Sequence, residues 1–85
     1  MEVAIFDTYV KKKDGRYLHF NIIVKRDTPF QEVMEYGNTY LQTKGVNSNG
    51  ILHKDCRFCH LTSTIPVWET RIMVSGYYIH ELEGC

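Results

Sequence analysis

Residues 3–25 read VAIFDTYVKKKDGRYLHFNIIVK, two apolar segments separated by the polar tip KKKDGR. In residues 17–25 the side chains alternate between apolar and polar, the period-two pattern of a strand with one buried face. Residues 3–10 alternate in the same way but less cleanly. Asp14-Gly15 supplies the positive φ that a tight hairpin turn requires. The segment therefore predicts a β-hairpin, and the rest of the fold is arranged around it.

A helix and a loop follow the hairpin. Thr28-Pro29 marks the start of a helix that we place at residues 29–44, because its apolar side chains recur at helical spacing. Gly45 follows as a left-handed cap, and residues 45–54 are rich in Gly, Asn and Ser, which is typical of a loop.

The last third of the chain predicts strand, helix and strand. Residues 55–62 favour a third strand. Ile65-Pro66 begins a second helix that ends at Gly76, and residues 77–83 form the last strand. No repeat, low-complexity run or linker divides the chain, so we expect one domain over residues 1–85.

The order ββαβαβ predicts a two-layer α+β fold with a four-stranded mixed sheet. The hairpin pairs antiparallel, and the final strand, helix and strand close as a right-handed parallel crossover. Each helix has a single apolar stripe, so we expect both helices on one face of the sheet. The other face is then open to water or to a partner. On the hairpin this interaction face consists of Val3, Ile5, Tyr9, Tyr17 and His19.

Composition excludes several classes of protein. The 85 residues are 44% hydrophobic and 24% charged, as in a small globular domain, and the net charge is zero, which gives no field to attract nucleic acid or an anionic membrane. The chain has no long apolar run for a membrane span and no secretory signal at residues 1–7. Three cysteines form an odd set, so we expect reduced thiols and a cytoplasmic protein.

Cys56-Arg57-Phe58-Cys59-His60 is the motif with chemical content. It matches the pattern that attaches c-type haem, but we expect no haem, because bacterial attachment takes place outside the cytoplasm. Thioredoxin-like chemistry requires the first cysteine at a helix N-terminus, and the next helix starts only at Ile65-Pro66. Asp7 and His19 can pair across the hairpin, but no nucleophile or phosphate loop accompanies them.

Zinc is the stronger chemical alternative, since Cys-x-x-Cys is a common half-site. The remaining ligands would come from His53, His60, His80 or Cys85. If the last two strands are parallel, His80 lies roughly level with Phe58 or Cys59. Against zinc, an offset of three places Cys56 and Cys59 on opposite faces of a regular strand. We therefore expect Cys59 in the core and Cys56 with His60 on the open face, so that a thiol reagent modifies Cys56 and Cys85 first.

Three segments together resemble a small group of bacterial proteins known only as a domain of unknown function. They are Val3-Ala4-Ile5-Phe6-Asp7-Thr8-Tyr9, the cysteine motif at residues 56–60, and the ending from Gly76-Tyr77-Tyr78 to Glu83-Gly84-Cys85. The resemblance runs the whole length of the chain. It implies an α+β fold and no particular activity.

The function that these observations favour is a non-enzymatic interaction module without a cofactor. It uses the open sheet face or a sheet edge to bind another protein or a second copy of itself. The alternative is a zinc or thiol site at Cys56, Cys59, His60, His80 and Cys85. A third class is an enzyme with an unrecognised small-molecule substrate, which is favoured only if a cleft lies beside Cys59 and His80. We expect no nucleic-acid binding, because Phe20 points away from Tyr9 and Tyr17 and the net charge is zero.

Overall fold

The computed structural model describes residues 1–46 and 50–83. Its elements are β1 (Glu2–Lys11), β2 (Tyr17–Lys25), α1 (Phe30–Thr43), a short 3-10 turn (His53–Asp55), β3 (Cys56–Ser63), α2 (Pro66–Ser75) and β4 (Tyr77–Glu83). The predicted order ββαβαβ and the α+β class are confirmed. The hairpin turns at Gly15, whose φ is 89°.

The sheet is antiparallel throughout and has the strand order β3-β1-β2-β4. The predicted parallel pairing of the last two strands is wrong, because β3 pairs with β1 and β4 pairs with β2 at the opposite edge. The ten residues of α2 span about 15 Å. Three strand spacings amount to about 14 Å, so α2 is long enough to carry the chain from one edge to the other.

The two helices cover opposite faces of the sheet. The core beneath α1 contains Ala4, Phe6, Val10, Leu18, Phe20, Ile22, Val24, Val33, Met34, Tyr40, Leu41, Ile51 and Cys56. On the other face, Val3, Ile5 and Ile23 pack with Ile72 of α2, and Trp68 and Tyr78 border this smaller cluster. The expectation of two layers with both helices on one face is therefore wrong, and the molecule has three layers.

The reason is visible in the hairpin strands. All four residues from Val3 to Phe6 are buried, as are those from Ile22 to Val24. A strand that is covered on both faces carries a continuous apolar run instead of an alternating one. The start of β1 and the end of β2 are therefore enclosed by both helices, while their other halves alternate and keep a face that α2 does not cover.

Gly37 allows α1 to lie close to the sheet. A Cβ atom at this position would collide with the Cδ1 atoms of Ile51 and Ile22. The close approach brings Tyr40, one turn further along α1, over Phe20, with ring centroids 4.7 Å apart. Tyr40 is thereby directed towards β4.

Candidate functional site

The cysteine motif lies on β3 and contains a β-bulge. Ile5 of β1 pairs with His60, and Phe6 pairs with Phe58, so Cys59 is the extra residue between two successive pairs. A bulge of this kind shifts the alternation of side chains by one position. Phe58 therefore shares the α1 face with Phe6, whereas His60 shares the α2 face with Ile5.

Cys56 is buried, with 3% of its surface exposed. It pairs with Thr8 on the α1 face, and the Thr8 hydroxyl donates a hydrogen bond to its Sγ at 3.4 Å. Burial raises the pKa of the Cys56 thiol above its ordinary value, because the interior disfavours the thiolate. This thiol is suited to packing rather than to reaction.

Cys59 is exposed, and its Sγ lies 3.1 Å from His60 Nδ1. The expected arrangement, with Cys59 in the core and Cys56 on the open face, is therefore wrong. The two cysteines do differ in environment, although the bulge at Cys59 means that the offset of three in a regular strand is not the reason. Their assignment is reversed because Cys56, not Cys59, lies opposite the buried Thr8.

The residues considered for zinc are not brought together. His80 lies on β4, three strand spacings or about 14 Å from β3, because these strands form opposite edges of the sheet. His53 packs its ring against Phe30, and Cys85 lies outside the described residues. Within residues 1–46 and 50–83, no group of three His, Cys, Asp or Glu side chains is arranged to hold a metal ion. A cleft shared by Cys59 and His80, which was the condition for the enzyme hypothesis, is likewise excluded by the strand order.

The interaction face predicted on the hairpin divides in two. Val3 and Ile5 are buried beneath α2, so their expected exposure is wrong. Tyr9 and Tyr17 are about half exposed, and His19 is partly buried beside them. The part of this face that α2 leaves uncovered is thus the polar part.

A carboxylate and an imidazole are joined on this uncovered part. His19 Nε2 and Asp7 Oδ1 are 2.5 Å apart, and the Tyr9 ring stacks on the His19 ring with centroids 4.0 Å apart and planes inclined by 9°. Asp7 pairs with Asn21 of β2 and with Arg57 of β3 in the sheet register. The pair between Asp7 and His19 that the sequence suggested is therefore present and is held by regular backbone pairing.

A recess opens beside this pair. It is lined by Asp7, Tyr9, Lys54, Asp55 and Arg57, which we call the charged recess, and its volume is about 360 Å³. Its residues come from β1, from the 3-10 turn and from the start of β3. The recess therefore collects two carboxylates, two cations and a phenol from segments that are far apart in sequence.

A second polar cluster lies at the β4 edge. The Tyr40 hydroxyl donates to Glu81 Oε2 at 2.5 Å, and Lys44 Nζ lies 3.1 Å from the same oxygen. Two contacts lower the pKa of the Glu81 carboxyl. The hydrogen bond from Tyr40 is the largest single cause, and the contact with Lys44 comes second. Beside this cluster is a groove of about 420 Å³ whose wall includes Arg71, Tyr77 and Tyr78.

The two edges of the sheet differ in charge and polarity. On β3 the formally charged side chain is Arg57, and Phe58 and Leu61 are 55% and 40% exposed. On β4 the strand carries Glu81 and Glu83. Charged side chains are a common means by which proteins protect a sheet edge from pairing with another strand. By this criterion β4 is protected, and most of β3 is not.

The whole chain matches known proteins of the same kind. A family described as a domain of unknown function, DUF2024, matches residues 1–82. The chain belongs to this family. It is also similar to the NMR structure of protein NE1680 from Nitrosomonas europaea, with 30% identity, a TM-score of 0.85, and coverage of 100% of this chain and 99% of that chain. No curated protein matches it. The predicted resemblance is confirmed, and it brings no activity to this DUF2024 chain.

Sequence reasoning missed the residues that complete both polar clusters. Lys54, Asp55 and Arg57 lie in or beside the cysteine motif, which drew attention to its thiols instead. Glu81 and Tyr40 are 41 residues apart. The available signal was a strand with Glu81 and Glu83 together with Lys44, which caps the end of α1. This signal could be interpreted only once β4 was placed beside β2. Within the described residues, no helix is both long and apolar enough to span a membrane.

Proposed function

We propose that this protein is a small interaction module that binds a second copy of itself through the outer edge of β3. The observation that carries the proposal is an eight-residue edge strand with one formally charged side chain and exposed apolar groups. An edge strand of this kind presents free backbone N–H and C=O groups that a second strand can pair with.

The bulge limits the useful part of the edge. Cys59 interrupts the regular ladder, so straight pairing is available along His60–Ser63, beyond the bulge. In a regular strand every second residue directs its backbone groups outwards. A symmetric antiparallel dimer must therefore place one residue opposite its own copy. A register centred on Leu61 joins the two exposed Leu61 side chains and leaves the two Arg57 side chains at opposite ends of the paired segment.

A second copy is the occupant that this charge distribution favours. Pairing β3 with itself about Leu61 brings no like charges into direct opposition. On β4 the register is irregular at Leu82, between the residues that pair with Phe20 and His19. Self-pairing about this position would also bring Glu81 and Glu83 of the two copies close together, and like charges destabilise a strand pair. Covering Leu61 adds about 1 kcal/mol for each copy, since this side chain is only partly exposed.

Sedimentation equilibrium on the wild-type chain tests this proposal with two matched variants. Leu61→Lys places a charge on β3, and Leu82→Lys places the same charge at a leucine of similar exposure, 45% compared with 40%, on β4. We expect a wild-type dimer with a dissociation constant of about 100 μM, weakened at least about tenfold by Leu61→Lys and little by Leu82→Lys. A wild-type monomer at about 1 mM rejects self-association, and a larger effect of Leu82→Lys rejects the choice of edge.

One contact favours a second candidate, a thiol function restricted to Cys59. The exposed Sγ lies beside His60 Nδ1, which can accept the thiol proton and so assist reaction with an electrophile. The test compares the rate of alkylation of Cys59 in the wild type and in His60→Gln. We expect a several-fold slower reaction in the variant. Equal rates would reject this candidate.

We also infer a cytoplasmic protein that binds no nucleic acid and requires no cofactor. The two described cysteines are free thiols, in keeping with a reducing compartment. The chain has no net charge to attract a polyanion.

A further inference from the structure

The charged recess holds opposite charges that form no ion pair with one another. Lys54 and Arg57 line the same space as Asp7 and Asp55. In the part of the chain that the structure describes, Asp7 pairs with His19, and no ion pair joins either of the two cations to either of the two carboxylates. Charges of both signs are therefore available to a ligand within one recess.

The fold holds these side chains in place from different directions. Asp7 is hydrogen-bonded to Nε2 of His19, and the Tyr9 ring covers one face of that imidazole. Asp55 lies in the 3-10 turn, where its N–H donates to the carbonyl of Leu52 at 2.9 Å. Arg57 follows directly on β3 and pairs in register with Asp7. Backbone pairing therefore sets the positions of Asp7 and Arg57 side by side on one face of the sheet.

The presence of both charges in one recess selects the chemistry of the ligand. A simple anion such as phosphate is attracted by the two cations but repelled by the two carboxylates. A simple cation is attracted by the carboxylates and repelled by the cations. A zwitterion satisfies both sets, with a carboxylate on the planar fork of Arg57 and an ammonium beside Asp7 and Asp55. A volume of about 360 Å³ lies in the range of small-molecule sites.

From this arrangement we propose that the charged recess binds a free α-amino acid. Arg57 and Lys54 hold the ligand carboxylate, Asp7 and Asp55 hold the ammonium, and the Tyr9 ring borders the ammonium as an electron-rich face. His19 is a positioning residue that fixes the Asp7 carboxylate. This site is separate from the proposed dimer edge, because Arg57 faces the α2 side of the sheet and precedes the straight segment His60–Ser63.

The test is a titration of the ¹⁵N-labelled chain, followed by amide shifts, with each standard L-amino acid in turn. We expect saturable shifts at residues 7, 9, 55 and 57 for at least one amino acid, with a dissociation constant of about 1 mM or below. The N-acetyl and α-amide forms of the same compound each lack one charge, and either change should weaken binding at least about tenfold. Inorganic phosphate should produce no saturable shift in this region.

Variants separate the recess from general effects on the chain. Arg57→Gln and Asp55→Asn should each weaken binding at least about tenfold, whereas Arg71→Gln, an exposed arginine on α2, should leave it unchanged. The titration is repeated with Leu61→Lys, the variant in which the proposed dimer is weakened. Amino-acid binding should be the same in this variant, so the result does not depend on the dimer proposal. The inference is overturned if no amino acid shifts these amides at about 10 mM, if the N-acetyl form binds equally well, or if Arg71→Gln weakens binding as much as Arg57→Gln. If Arg57→Gln does not fold, Lys54→Gln on the exposed turn serves in its place.

Discussion

Gly76 ends α2 with a φ of 92°, a backbone conformation that residues with a Cβ atom rarely adopt. A Cβ atom here would also lie 2.5 Å from the Tyr36 hydroxyl. We expect Gly76→Ala to lower the free energy of unfolding by more than the 1–2 kcal/mol or so that the left-handed conformation alone costs an alanine. Urea unfolding monitored by circular dichroism measures the loss.

Gly45 provides the matched control for this prediction. Its φ is 66°, and a Cβ atom would meet nothing within 4 Å. Gly45→Ala should therefore show the backbone cost without the contact with Tyr36. Equal losses in the two variants would mean that the tyrosine moves aside freely.

Glu81 gives the chain a dependence on pH. Its pKa is lower in the folded protein than its ordinary value of 4.5, first because Tyr40 donates to it and then because of Lys44. A carboxyl with a lowered folded pKa stabilises the protein above its unfolded pKa, and this contribution disappears as pH falls through the folded value. Glu81→Gln should therefore cost about 0.5 kcal/mol at pH 7 and almost nothing well below pH 4, since the group is half exposed.

Thermal unfolding of wild type and Glu81→Gln across this range of pH checks the sign. Glu35→Gln on α1 is the control, because Glu35 is exposed and makes no ion pair with any described residue. A difference between Glu81→Gln and wild type that grows as pH falls would contradict the arrangement of Glu81 with Tyr40 and Lys44.

At the scale of the element, β3 exposes one thiol and buries the other. We expect a thiol reagent to modify Cys59 within the native state and Cys56 only on unfolding, because the Cys56 thiol is buried and its pKa is raised. Peptide mass spectrometry after a short exposure distinguishes the two sites. Modification of Cys56 first, which the sequence alone favoured, would contradict the register of β3.

The elements themselves were predictable from local patterns, and their arrangement was not. Period-two spacing, Asp14-Gly15 and Ile65-Pro66 located the hairpin and α2, because turn chemistry and periodicity act over a few residues. The pairing of β3 with β1 depends on contacts about 50 residues apart, and the bulge at Cys59 becomes apparent only when the partner strand is known. The pair between Asp7 and His19 could be predicted from the sequence because it crosses a single hairpin. The charged recess could not be predicted without knowing where β3 lies in the sheet.

At the scale of the molecule, the two faces of the sheet are unequally packed. Among the described residues, α1 buries Val33, Met34, Gly37, Tyr40 and Leu41, while α2 buries Ile72. The apolar area that holds α2 to the sheet is therefore much smaller. Because elements with few buried contacts open before the rest of a domain, α2 should separate from the sheet while the core beneath α1 remains intact.

Hydrogen exchange in the native state tests this order of opening. We expect amides in α2 to exchange with a lower opening free energy than those of α1 and β1. The opening free energy of the α2 amides should also depend less on denaturant concentration than that of the α1 and β1 amides. Ile72→Ala should cost about 2–4 kcal/mol and lower protection chiefly in α2, whereas Leu41→Ala, at a site of equal burial, should lower it throughout the chain. Equal protection of both helices in the wild type would show instead that the three layers open as one cooperative unit, and that the small cluster around Ile72 holds α2 as firmly as the larger core holds α1.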